Sequence, residues 1–288
     1  MPGPLLILQV VLGLFALALI VAWVRLGRPA DDADRGLPTP GELAVGFGTN
    51  FFDTLGIGSF APTTSLYRLF KMVPDERIPG TMNVGHTLAT ITQAFVFTTL
   101  VQVDFTTLAT LIGASVIGAW LGAGVVAGWP RRKIQIGMGV ALVVAAALFT
   151  LTNLGVVAGG GEATGLSGGK LALAAAGNFG LGALMTLGIG LYGPCLIMIS
   201  LLGMNPAVAF PIMMGSCAFL MVVAGIRFLR AGAYRQRPAL GLTLAGIPAV
   251  LIAAFIVKKL DLVQLRWLVA IVVLYTGVTM LRAALRRA

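Results

Sequence analysis

The sequence predicts an all-α polytopic membrane protein made of two inverted-topology repeats. Each repeat is a re-entrant broken-helix hairpin plus three transmembrane helices, and one extra helix precedes them. Three observations predict this. Hydrophobic residues form 58% of the 288-residue chain and charged residues only 10%, against about 25% charged in a soluble domain; mean hydropathy is +0.97. A Gly-x-Gly stretch ending in proline occurs twice, as Thr54-Leu55-Gly56-Ile57-Gly58-Ser59-Phe60-Ala61-Pro62 and as Thr186-Leu187-Gly188-Ile189-Gly190-Leu191-Tyr192-Gly193-Pro194. The basic residues gather between apolar runs, which is the signature of membrane orientation. The net charge of +10 is therefore not read as a nucleic-acid surface.

Taken in order, residues 1–41 read as an N-terminal transmembrane helix and a cytoplasmic linker. The apolar run Leu5 to Val24 suits one crossing of about 20 residues. Arg25 and Arg28 end it, and the linker holds Asp31, Asp32, Asp34 and Arg35. The amino terminus has no basic leader or small-residue cleavage site, so no signal peptide is read. Repeat 1 covers 42–152. It opens with Glu42 to Leu55, breaks at Gly-Ile-Gly, and resumes as a short piece from Pro62 to about Phe70. Neither piece reaches the ~17 residues that a crossing takes. Helices follow at 79–101, 106–129 and 133–152. An external glycine-rich loop, 153–170, separates the halves. Repeat 2, 171–288, has a broken segment over 171–202 and helices at 206–226, 239–258 and 264–284.

The two broken segments align at a constant offset of 132 residues. The same offset carries Leu69 onto Leu201, Met72 onto Met204, Pro74 onto Pro206, Pro79 onto Pro211 and Met82 onto Met214, with no gap between 47 and 88. Matched breaks in two halves point to a duplicated unit and to a transporter's binding region. Charge placement then chooses the threading. If each broken segment enters and leaves on one side, sixteen of the twenty basic residues fall inside, and only Lys170, Lys258, Lys259 and Arg266 fall outside. If each broken segment crosses, the inside count drops to eleven. The positive-inside bias favours the hairpins. Three full crossings per half then make the repeats inverted.

Irregular backbone at membrane depth must face protein or a water-filled cavity. Pro62 and Pro194 are expected to open half-helices, since proline suits the first helical position. The amides of Thr63, Thr64 and Ser65, and of Cys195, Leu196 and Ile197, would then point at the cavity. Helix amino termini favour anions. The candidate anion site therefore comprises Gly58, Ser59, Pro62, Thr63, Thr64, Gly190, Pro194, Cys195, Leu196 and Asn83. The alternative is that glycine and proline merely allow close helix packing. Asp53 is the acidic residue well inside an apolar segment, and His86 is the only histidine; intramembrane ionisable groups are functional by default. An Asp53–His86 pair could carry protons with the substrate, or the two could satisfy broken backbone and make structural hydrogen bonds. Asn50, Thr87 and Gln93 could line the same cavity. The Cys195 thiol suggests either a contact to a sulfur-containing ligand or a small apolar filler; Cys217 aligns with Gly85, where small size suffices. No metal or cofactor is expected.

At the duplicated Gly-x-Gly…Pro half-helix motif the sequence resembles the TauE/SafE family of sulfite exporters, also called TSUP permeases, over nearly all of residues 42–288. The family's proline about twelve residues on, followed by alanine, is here Asn205-Pro206-Ala207-Val208-Ala209; the first half, Val73-Pro74-Asp75-Glu76-Arg77, keeps the proline. The chain has Gly58-Ser59 and Gly190-Leu191 where the family often has a longer glycine run, and Ile78-Pro79 and Phe210-Pro211 where it often has Thr-Ser. The resemblance implies a multi-pass protein of the bacterial cytoplasmic (inner) membrane that moves a small sulfur-containing anion such as sulfite, thiosulfate or an organosulfonate. The expected partners are that anion, protons and the lipid bilayer, with a homodimer left open and no nucleic acid. Two other classes compete: an intramembrane enzyme using Asp53 and His86, and a non-transporting membrane scaffold.

Overall fold

The computed structural model describes residues 3–27, 34–126, 131–154, 161–185, 191–259 and 262–285. Among them it holds α-helices, short 3-10 turns and one isolated bridge, Ala163 with Met204, but no strand. Helix α1, Pro4–Leu26, starts on a proline and is apolar nearly all round, with only Leu12 and Leu19 buried. A helix of that kind is at home in lipid. The first hairpin is α2, Pro40–Thr54, and α3, Phe60–Leu69. At the start of α2, Thr39 and Glu42 form a capping box: the Thr39 N–H donates to Glu42 Oε2 at 2.7 Å and the Glu42 N–H to Thr39 Oγ1 at 3.3 Å. A 3-10 turn, Asp75–Arg77, leads into α4, Ile78–Gly85, and α5, Thr87–Leu100.

The expected single helix over 79–101 is thus interrupted at one residue, His86. Its backbone stays near helical (φ −79°, ψ −19°). The His86 N–H still reaches Met82 O and its carbonyl still accepts from Thr90, each at 2.9 Å. The Thr87 hydroxyl donates to Asn83 O. Next come α6, Phe105–Val126, and α7, Arg131–Asn153. The second hairpin is α8, Gly168–Met185, and α9, Tyr192–Leu201. A 3-10 turn, Pro206–Val208, precedes α10, Ala209–Ala231; α11, Gln236–Lys259, and α12, Leu262–Leu285, complete the chain. Three stretches are long and apolar enough to cross a membrane among the described residues: Pro4–Leu26, Pro206–Ala231 and Gln236–Lys259.

The hairpins match in backbone detail at the 132-residue offset. The residues before α3 and α9, Ser59 and Leu191, have φ/ψ of −83°/−29° and −80°/−27°. Both short helices close with the same turn, the Met72 N–H donating to Tyr67 O at 2.9 Å and the Met204 N–H to Ile199 O at 3.2 Å. Both are followed by a 3-10 turn.

Two compact units emerge, and each draws on both halves of the chain. One comprises Met1–Thr54, Gly58–Thr99 and Cys217–Phe255; the other comprises Leu55–Ile57, Leu100–Ser216 and Ile256–Ala288. In the first, α2 lies against α11 so closely that a Cβ on Gly46 would run into the Gly241 carbonyl. In the second, α8 lies equally close to α6, where a Cβ on Gly182 would strike the Ser115 carbonyl. Small residues let backbones approach where lipid provides no hydrophobic drive between helices. Helix α11 lies 132 residues after α6, so each hairpin packs on a helix from the other half of the sequence. Also in the second unit, α7 packs on α12 beside Gly139 and Gly277.

The polar linker after α1 is not idle. Buried Asp34 accepts from the backbone amides of Gln236 at 2.8 Å and Arg237 at 3.0 Å, and it lies 3.4 Å from Arg235 Nε. It therefore caps α11, placing a carboxylate at a helix amino terminus. Arg237 Nε in turn bonds both carboxylate oxygens of Glu42, at 3.2 and 3.1 Å.

Candidate functional site

The first unit contains a continuous buried polar chain around the break in its hairpin. It starts at Asp53 on α2. Gln93 on α5 donates through Nε2 to Asp53 Oδ2 at 2.8 Å and to the Thr54 hydroxyl at 3.0 Å. The Thr54 hydroxyl donates to the Asn50 carbonyl at 2.8 Å. The Asn50 side chain then meets His86 Nδ1 at 3.0 Å, and His86 Nε2 meets the Thr63 hydroxyl at 3.0 Å. Thr63 itself reaches back to Ser59 O at 2.8 Å. Asp53, Thr54, Asn50, His86, Gln93 and Thr63 are all buried, and Phe60 stacks on the imidazole at 6.1 Å. Asn50 fits because Gly246 faces it, where a Cβ would sit 2.8 Å from the amide carbon.

Hydrogen-bond accounting fixes part of the protonation pattern. The Asn50 amide nitrogen donates to Gly46 O at 2.7 Å and Leu242 O at 3.3 Å, so its oxygen is an acceptor and His86 Nδ1 carries hydrogen in either state. Thr63 has one hydroxyl hydrogen and two neighbours that can take it, Ser59 O and His86 Nε2. Beside a neutral imidazole the hydroxyl donates to Nε2. Beside an imidazolium it accepts from Nε2 and its hydrogen turns to Ser59 O. Protonation of the only histidine is thereby coupled to the first turn of α3.

The structure rearranges several expectations. Asp53 Oδ2 is held by Gln93, so Asp53 and His86 are joined through Gln93, Thr54 and Asn50 rather than as an ion pair. Pro62 and Pro194 stand at the third position of their helices, which begin at Phe60 and Tyr192. The Thr63 and Cys195 amides donate within their own helices, to Ser59 O and Leu191 O, each at 3.0 Å. The free first-turn donors are consequently those of Phe60 and Ala61, and of Tyr192 and Gly193. Gly58 has φ +86°, with nothing within 4 Å of a Cβ built there; backbone conformation, not crowding, calls for glycine. Ser59 is buried. Thr64 bonds Met82 Sδ at 3.5 Å, and the Asn83 amide bonds Pro79 O in its own helix at 2.9 Å. Cys195 and Leu196 are fully buried, and Cys195 is a free thiol. Gly190 lies outside the described residues. Asn50, Thr54 and Gln93 carry more of the site than their sequence context suggests. The available signal was their spacing: Asn50, Asp53 and Thr54 lie about one helical turn apart, and His86 and Gln93 about two turns apart.

The family model described as sulfite exporter TauE/SafE matches residues 1–149, just over half of the chain. The match includes α1, which lies before the stretch where the motif resemblance begins. No curated protein and no solved structure matches the chain.

Proposed function

Because the chain belongs to the sulfite exporter TauE/SafE family, we propose that it is a proton-coupled secondary transporter of a small sulfur-containing anion across the bacterial cytoplasmic membrane, with sulfite, thiosulfate and organosulfonates as the candidates. The anion is bound at a half-helix amino end, for which α3 offers first-turn amides without partners inside the helix. Proton coupling runs through His86, with Asp53 at the far end of the same chain. The observation that carries this reading is the Asn50–His86–Thr63 link, which ties one titratable ring to the first turn of α3. A ligand moves an equilibrium only through a difference in affinity between two states. Here the two directions of the Thr63 hydroxyl supply that difference.

Proteoliposome flux tests the proposal. Sulfite flux through the wild type should accelerate under an imposed pH gradient. Asp53→Asn and His86→Ala should keep exchange at equal pH while losing the acceleration. Unchanged gradient-driven flux in both variants would remove these residues from coupling, and absence of flux with all three anion classes would overturn the transporter reading. Because there is one histidine, ¹⁵N-histidine labelling gives a single imidazole whose two nitrogens can be followed directly. Thr63→Val should alter the Nε2 resonance far more than Nδ1.

A further inference from the structure

At the carboxyl end of α3, Lys71 is the one non-glycine residue with positive φ (51°) among the described residues. It occupies the left-handed position of a helix-ending turn, with its N–H on Arg68 O at 3.3 Å and the next amide on Tyr67 O. Glycine is the ordinary occupant of that position because a Cβ is strained there. The second hairpin follows this rule: 132 residues on, the same turn uses Gly203 at φ 91°. Lysine therefore stands in the first hairpin at a conformational cost, and such outliers point to function. Its surroundings give the reason. Tyr67, Arg68, Lys71, Val73 and Pro74 line an open cavity of about 470 Å³. The equivalent residues of the second hairpin are Ile199, Ser200, Gly203, Asn205 and Pro206, none of them charged. Membrane orientation alone would be served by a basic residue at any nearby position and does not call for one in a left-handed turn.

We propose that Arg68 and Lys71 form a docking site for a tetrahedral or pyramidal oxyanion at the mouth of the first hairpin. A guanidinium and an ammonium presented together suit sulfite, a sulfonate or a phosphate oxygen. In the topology proposed above the site faces the cytoplasm, where it would load an anion for export. That loading role rests on the transporter reading; the oxyanion site itself does not. A soluble sulfur oxyanion and a lipid phosphate present the same chemistry, so the test separates the two sources.

The experiment uses the full-length purified protein as wild type, Lys71→Gly and Arg68→Gln/Lys71→Gln. Lys71→Gly should raise the Tm of the unliganded protein, because glycine relieves the turn, and this shows that the variant folds. Sodium sulfite titrations and reconstitution with phosphatidylglycerol in place of phosphatidylcholine are then compared for their effect on Tm. Loss of one charge-assisted contact should raise the half-saturating concentration about tenfold. A change confined to the sulfite arm assigns the site to soluble oxyanions, and one confined to the phosphatidylglycerol arm assigns it to lipid phosphate. Equal responses of wild type and both variants in both arms would overturn the site. Sulfite flux that persists with unchanged half-saturation in Lys71→Gly would remove the loading role while leaving transport intact. A wild type without sulfite flux would sink the transporter reading, and the phosphatidylglycerol arm would still decide the oxyanion site.

Discussion

The two hairpins share a backbone and differ in chemistry. Their half-helices have the same length, the same lead-in dihedrals and the same closing turn. Yet where the first has Asn50, Asp53, Thr63, His86 and Gln93, the second has Gly182, Met185, Cys195, Ala218 and Gly225. The second hairpin has its own polar contact one turn earlier, at Asn178, whose amide donates to Leu111 O at 2.6 Å and to Ser216 Oγ at 3.3 Å. That contact holds no titratable group. The proposed function would divide two tasks between the hairpins. Backbone donors require only a shape, which both hairpins keep. Proton exchange requires a costly buried titratable network, which only the first carries among the described residues.

The sharpest test of the comparison concerns orientation, where the outcome is all or none. Inverted hairpins place the loop before α8 outside and the start of α7 inside. Gly161 cannot serve as a probe position, because a Cβ there would collide with Gly203. Ser167 and Arg132 are exposed, while the native Cys195 and Cys217 are buried and should stay silent. Cysteines at 167 and 132 should react with impermeant thiol reagents from opposite sides, and labelling of both from one side would break the inversion. Next in size comes packing. Gly46→Leu and Gly182→Leu each force a side chain into a facing carbonyl and should cost about 3 kcal/mol or more, read as a matched loss of Tm in detergent. Tolerance of one and not the other would show that the shared backbone is not equally required.

A smaller effect isolates the hairpin loop. Gly58→Ala meets open space but must hold positive φ, at about 1–2 kcal/mol; a neutral result would mean the loop relaxes freely. The last test compares how two equivalent helices start. Asp104 caps α6 from the adjacent position, accepting from the Thr107 N–H at 2.7 Å and its hydroxyl at 2.8 Å; α11 borrows Asp34 from the distant linker. Asp104→Ala should cost about 1 kcal/mol, and Asp34→Ala more, since buried amides lose their acceptor. The Thr107 backbone and side-chain bonds hold the Asp104 carboxyl below its ordinary range. Its contribution is therefore present at neutral pH and fades as pH falls below the usual carboxylate range. An Asp104→Ala variant should accordingly converge with wild type in strong acid.

Much of the fold is legible because its determinants are local. Apolar length, glycine breaks and prolines locate most of the helices to within about five residues. The early start of α3 is less so. None of the first three helical positions needs an intrahelical N–H bond, so Pro62 could not say which of them it occupied. The His86 interruption and the pairing of Gln93 with Asp53 depend on contacts between helices. At sequence level Asp53 and His86 read as a direct pair and Asn50 and Gln93 only as possible lining residues, so the chain that links them was not legible. The strain at Lys71 was equally hidden, since a lysine after a helix is unremarkable until its φ is known.

The bond from Asn50 to Leu242 spans 192 residues, and this gives the hairpin a history during synthesis. At roughly 5–20 residues per second, about 10–40 s separate the ribosomal addition of these two partners. Throughout that interval the buried end of α2 lacks the carbonyl, the Gly241 surface and the packing of α11 that complete it. Asp34 likewise waits for the helix it caps. A polar half-hairpin without its neighbour is poorly suited to bare lipid. A chain truncated before α11 should therefore leave Asn50 and Asp34 without these partners, read as a lower Tm than that of the full chain.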